Sequence, residues 1–261
     1  MVLMVDVELS PDTRTGPSSS IWRNADIIEM IRNPRCGHYF FEDFMVGKPG
    51  HLITLEADAT AATADGAERG GSITLTTGGT DNNECYVGGD YGGFEISDTG
   101  GDAHKLWFEA RVKVSAIAAQ TVFVGMIDPA AVAANMLLDA GTVGDFDYIG
   151  FRINEADPDG IDFAYRISGG SEVVAVNEAQ VAVADTYYKL GFVYDPLEDT
   201  SRRITIYVNG TANATYVTGT NIAAASFPDA QLLTPAIGIK TNAAVTKVLE
   251  CDWVRVAQER K

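Results

Sequence analysis

The densest run of chemistry-bearing side chains is NEADPDGID, where Glu155, Asp157, Asp159 and Asp162 crowd four carboxylates into one short stretch. Carboxylate oxygens are what a hard cation such as calcium takes, so Asp157, Asp159 and Asp162 are candidate metal ligands. Their spacing is not that of an EF-hand loop, and a solvated acidic turn is the commoner outcome of such a run. A second group is aromatic: Tyr86 and Tyr91 lie in a glycine-rich stretch and Trp107 just beyond it, and flat rings of this kind could stack on sugars. Rings in such places are more often packed than sugar-binding. The three histidines, His38, His51 and His104, have no neighbours that suggest a triad, and there is no G-x-S-x-G elbow. The glycines of 78–101 match neither G-x-G-x-x-G nor a phosphate loop with its lysine, so no nucleotide site is implied. No catalytic residue and no cofactor is assigned. Cys36, Cys85 and Cys251 are far apart and in no C-x-x-C spacing, which argues for buried free thiols.

The elements that would position these residues are strands. From Lys105 to Asp128 the chain reads as two long strands joined by a short turn of small residues. In the first, Leu106, Phe108, Ala110, Val112 and Val114 alternate with Trp107, Glu109, Arg111 and Lys113, the period of a strand with one buried face. Trp107 alone breaks the polar side. The second, Val122 to Ile127, is apolar on both faces, as a strand covered above and below should be. Further strands are expected at 38–45, 72–77, 94–96, 148–154, 161–167, 172–176, 186–196, 202–218, 233–239 and 245–256. Asn209-Gly210 is a strong hairpin signal. Loops are expected at 55–71 and 78–101, and Asp128-Pro129 opens one short helix ending near Gly141.

The formal net charge is -17. Such a field repels phosphate backbones and anionic lipid, so neither direct nucleic-acid binding nor membrane binding is expected. The N-terminus has no basic region ahead of its apolar run, and no stretch is long and apolar enough to span a bilayer, which leads to the expectation of a protein made in a reducing cytoplasm. Residues 1–36 read as an arm. Within it, 20–32 places Ile21, Ala25 and Ile28 on one face of a single amphipathic helix stopped by Pro34. An arm with so few apolar residues must borrow a surface, either that of its own β domain, residues 37–261, or a neighbouring subunit. Ile21, Trp22 and Ile28 are the expected anchors of an inter-subunit contact.

Three stretches taken together resemble the concanavalin A-like, laminin-G-like jelly roll: DTYYKLGFVYD (185–195), ITIYVNGTANATY (204–216) and the closing VLECDWVRVAQ (248–258). In that family an aromatic-aliphatic strand leads to a Y-V-N/D-G hairpin, and the last strand carries D-aromatic-V-x-V, filled here by Asp252, Trp253, Val254 and Val256. FFEDFMVG (40–47) is similar to its opening strand. The resemblance implies an all-β, two-sheet jelly-roll sandwich, and loop-bound calcium of the kind laminin-G-like domains hold. It also implies a test for catalysis, because glucanases of this fold carry E-x-D-x-x-E. Glu56-Ala-Asp58, Glu155-Ala-Asp157 and Glu250-Cys-Asp252 begin that pattern, and Ala61, Gly160 and Arg255 end it wrongly.

A non-enzymatic role is therefore expected. The resemblance extends to sandwiches familiar among tailed-phage structural proteins, which implies a virion protein: a capsid decoration or cement protein bound to the major capsid protein and to copies of itself. The alternative is a carbohydrate-binding module on a phage tail or fibre, with Tyr86, Tyr91 and Trp107 as platforms.

Overall fold

The computed structural model describes residues 15–45, 53–55, 58–63, 71–98, 103–132 and 135–260. In chain order the first strands are β1 (Gly37–Glu42), β2 (Ile53–Leu55), β3 (Thr60–Thr63), β4 (Ile73–Thr76), β5 (Glu84–Gly88), β6 (Leu106–Val114) and β7 (Gln120–Ile127). They are followed by β8 (Tyr148–Asn154), β9 (Asp157–Arg166), β10 (Val173–Val181) and β11 (Tyr188–Tyr194). The last are β12 (Ile204–Val208), β13 (Thr211–Val217), β14 (Thr234–Thr241) and β15 (Val248–Glu259). One sheet has the order β13-β12-β11-β6-β15-β4-β3, with β1 also on β15; the other runs β10-β9-β8-β7-β14-β5-β2. β15 is long enough to pair β4 through 248–251 and β1 through 254–259 along the same edge. Among the described residues no helix is long and apolar enough to cross a membrane.

Between the sheets lies the core that period-two alternation requires. Leu106, Phe108, Ala110, Val112 and Val114 of β6 face Val122, Val124 and Met126 of β7 within it. Phe192 of β11 joins the layers, its ring centroid 5.2 Å from Phe108 in its own sheet and 5.5 Å from Phe163 in the other. Such ring pairs add specific geometry to the apolar burial. The all-β sandwich expected from the sequence is the observed architecture.

β6 and β7, the two strands expected in 105–128, lie in different sheets, each central in its own layer. Several local expectations are corrected. The expected loops hold β3 and the fully buried β5, whose alternating partners come from β14 far along the chain. Phe94 makes only an isolated bridge to Leu233. The helix after Asp128 ends at Val132, and β9 begins already at Asp157, so the acidic run is mostly strand. Asn209 and Gly210, with φ of 51° and 75°, form the tight turn between β12 and β13 that their sequence predicts.

The arm holds two short helices, α1 (Ser19–Trp22) and α2 (Ile27–Arg32), where one was expected. Asp26 divides them: its side chain accepts from Glu29 N and caps α2, a role that ends one helix and starts the next.

Candidate functional site

Both sheets turn a second face away from the core, and each such face is covered. On the eight-stranded sheet the outward side chains of β6 are Trp107, Glu109 and Arg111. By register they line up with Val193, Gly191 and Lys189 of β11 on one side and Ala257, Arg255 and Trp253 of β15 on the other. The arm lies on this floor. Ile21, Trp22, Met30, Trp107 and Ala257 form a buried cluster. Gly191 makes room for it: a Cβ there would sit 2.7 Å from Ile21 Cδ1. Trp22 Nε1 donates to Glu109 Oε2 at 2.7 Å, and Ser18 N donates to the same oxygen at 2.9 Å. Two donors on one buried carboxylate are charge-assisted bonds, which hold the arm at a fixed place. The Arg255 guanidinium lies 4.2 Å from the centroid of the Trp22 ring, and burial pushes its pKa down.

On the seven-stranded sheet the cover is the β7–β8 connection. Its Val132, Met136 and Leu137 pack on Tyr86, Phe123 and Tyr148 of the sheet. Gly238 permits this approach, since a Cβ there would meet Met136 Cε at 2.1 Å. Charged side chains sit at both ends of this floor. Lys240 is buried; its Nζ donates to Leu137 O at 2.9 Å, pairs with Asp139 at 2.7 Å and lies 3.7 Å from Glu84, to which Tyr86 donates its hydroxyl. At the other end Arg152 pairs with Glu172 at 3.0 Å and Asp162 at 3.3 Å. Tyr148 donates to Glu172, and burial, followed by the Glu172 charge, pushes its phenol far above the ordinary range.

This geometry bears directly on glycosidase chemistry. Glu84 is on β5 and Asp162 on β9, four strand spacings apart, which is about 19 Å at the usual separation of neighbouring strands. A glycosidase pair needs about 5–10 Å. Closer carboxylates on this floor share a cation: Asp162 and Glu172 both lie on Arg152 Nη2, and Glu84 and Asp139 both lie on Lys240 Nζ.

The residues singled out by sequence fall as follows. Ile21 and Trp22 are buried, but against their own sheet, which corrects their reading as anchors buried by a neighbouring subunit; Ile28 is 56% exposed. Trp107 is the floor under the arm and Tyr86 lies under the β7–β8 connection, so neither presents a ring to a sugar. Tyr91 is 87% exposed. Asp162 is committed to Arg152 and to Glu178 N, which corrects its reading as a calcium ligand. No group of three metal-binding side chains is present among the described residues, so Asp157 and Asp159 lack a partner set. Cys85 and Cys251 are buried free thiols and Cys36 is partly so. His51 and Glu56 lie outside the described residues. Trp253 is buried, on the outer face, where its Nε1 donates to Thr15 O at 3.3 Å. Sequence reasoning missed Glu109, Lys240 and Arg152; for Lys240 and Arg152 the available signal was a charge inside an otherwise apolar run, and for Glu109 it was only the neighbouring Trp107 on the polar side.

No family model and no curated protein matches the chain. Solved structures do. An endo-β-1,4-glucuronan lyase from the fungus Trichoderma reesei superposes with a TM-score of 0.58 at 11% identity, over 85% of this chain and 95% of that one. Peanut lectin gives 0.55 at 13%, over 85% and 97%. The fold is that of a concanavalin A-like jelly roll. A Shewanella oneidensis MR-1 protein of unknown function matches the jelly roll with a TM-score of 0.54 at 14% identity, over 95% of this chain and 97% of that one. Lyases and glycoside hydrolases are among the proteins sharing the fold.

Proposed function

We propose that this jelly roll is a non-enzymatic virion structural protein, a decoration or cement protein that binds the major capsid protein of a tailed-phage head and copies of itself. The observation that carries this reading is the closure of both outer faces by the chain's own segments. The face that could serve a polysaccharide is filled by Met136, Leu137 and Val132, and its carboxylates are paired with Lys240 and Arg152. What remains for partners is surface. The arm supplies one: with Ile21 and Trp22 turned inward, Ile28 and Ile31, three residues apart on α2, point outward at 56% and 63% exposed. Apolar side chains presented this way are anchors in search of a cover. Its acidity keeps a densely arrayed particle exterior soluble. Particles assembled with and without the protein and imaged at low resolution test the reading: added density on the head shell is expected, and identical shells would refute it.

A second reading, a carbohydrate-binding module on a tail or fibre, is favoured by Tyr91. Its ring stands free beside Asp90, and Leu232, 60% exposed, flanks the same glycine-rich tip at Gly92. A glycan array separates the two: saturable binding lost in Tyr91→Ala would favour this reading, and a blank array disfavours it.

A further inference from the structure

The two ends of the sandwich carry opposite surfaces. α2 adjoins one end, where β6 begins and β15 finishes: Asp26, Glu29 and Met30 line a cleft there together with Lys105 and Glu259. The nine residues of β6, about 30 Å of extended chain, lead to the other end. Three connections meet there: 115–119 (SAIAA), 182–186 (AVADT) and 242–246 (NAAVT). Backbone bonds hold them in place, with Asp185 N donating to Val114 O at 2.8 Å, Asn242 N to Ala119 O at 3.0 Å and Ser115 N to Val248 O at 3.0 Å. Their tips are apolar. Val183 is 56% exposed and Val245 44%, with Ile117 and Val181 also at solvent. Apolar side chains gathered on ordered loops mark a contact surface.

The charge around these tips selects the partner. Asp185 shares a loop with Val183. Ala182 N donates to Asp159 O at 2.7 Å, which brings Asp159 alongside, and Asn82 N donates to Thr241 O at 2.9 Å, which brings Asp81 to the 242–246 loop. Among the described residues none of these three aspartates is in an ion pair. The complementary chemistry, aliphatic anchors flanked by cations, is on the arm. Ile28, Ile31 and Arg32 share one face of α2 at spacings of three and four, and the exposed Arg35 follows. The helix's acids, Asp26 and Glu29, turn to the cleft instead. Residues 15–36 hold three arginines against one aspartate and one glutamate, in a chain whose net charge is -17.

We propose that the arm of one copy docks on the far end of a second copy, seating Ile28 and Ile31 against Val183 and Val245 with Arg32 and Arg35 over the aspartates. A single copy cannot close this contact on itself, because its two surfaces lie a strand length apart. The contact is heterologous, so it propagates head to tail. It names the surfaces for the contact between copies in the proposed function and rests on that part of it. A shell competes for the same two isoleucines, so the contact belongs to the free protein. The patches are small beside the roughly 800 Å² per partner of a stable pair, and association is correspondingly weak.

Sedimentation equilibrium of the full chain, with no shells present, tests it at about 0.15 M salt, where a Debye length of about 8 Å screens the overall repulsion. The weight-average mass is expected to rise past that of a dimer as the protein goes from about 10 μM to about 1 mM. Ile28→Asp with Ile31→Asp should stay monomeric over that range, and so should Val183→Asp with Val245→Asp. Mixed in equal amounts, these two variants leave one intact arm facing one intact end, so the mixture should form dimers and nothing longer. A monomeric wild type overturns the proposal, as does growth in either variant alone, or a mixture that stays monomeric or grows past the dimer. Should the valine-to-aspartate variant fail to fold, Val183→Ser with Val245→Ser takes its place with the same expectations. A negative result strikes the contact between copies alone, since attachment to heads is read separately by imaging.

Discussion

The two outer faces are covered by different means. On the seven-stranded sheet the cover is a connection tethered at both ends to central strands, β7 and β8, and fastened by the buried Lys240. On the eight-stranded sheet the cover is the arm, which joins the sandwich through β1 alone and is fastened by Trp22 and Ser18 on Glu109. The first cover cannot leave without disturbing the middle of a sheet. The second can detach while every strand stays paired. A cover of the second kind is suited to meeting a partner, because loosening it costs local contacts and not the fold.

Substitutions can break this contrast, and Lys240→Ala should have the largest effect. It removes the Lys240 charge beside the buried Glu84 and frees Leu137 O, at a cost of about 3–5 kcal/mol to global stability. Chemical denaturation measures it, and a loss under 1 kcal/mol would show that the lysine does not fasten this cover. Trp22→Ala should remove about 3 kcal/mol from arm docking while the sandwich still unfolds cooperatively. Limited proteolysis should then cut near residues 23–36 with the strands intact; general degradation would make the arm part of the fold's single cooperative unit. Glu109→Gln is milder. It keeps an acceptor but loses its charge, for about 1–2 kcal/mol, read as faster amide exchange at Ser18.

The end of the eight-stranded face beyond the arm titrates. Burial acts to raise the Glu250 carboxyl pKa, but hydrogen bonds from Tyr187, Lys113 and Ser72 outweigh it and hold the pKa below the ordinary 4.5. A depressed carboxyl pKa gives stability that is present above the ordinary value and lost as pH falls through the folded one. Stability should therefore decline on acidification below about pH 4.5, and Glu250→Gln should flatten that decline. A parallel acid profile in the variant would remove Glu250 from the account.

Much of the sandwich was legible because most core strands carry their own evidence, the buried β5 being the exception. The alternation of β6 and the Asn209-Gly210 turn are local signals, and local signals survive without knowing the partners. Sheet membership is not local: nothing in 105–128 says that β6 pairs with β15 and β7 with β14. The covered faces were harder still. Glu109 and Arg111 sit where a solvated face is expected, and only Trp107 hinted that something lies on top. Lys240 reads as an outward charge until Leu137 and Asp139, a hundred residues earlier, are placed over it. Ile21 and Trp22 were legible as residues needing a cover, but sequence could not decide between their own sheet and a neighbour's.

The arm is clamped inward by Ile21 and Trp22 and turns Ile28 and Ile31 outward, the side chains proposed to attach it to a shell. The double variant Ile28→Asp, Ile31→Asp changes only exposed side chains, so its free energy of unfolding should match that of the wild type within about 0.5 kcal/mol. Its occupancy on phage head shells, measured by co-sedimentation with shells stripped of the protein, should fall at least tenfold. Binding at wild-type occupancy, in a variant shown to be folded, would contradict the account.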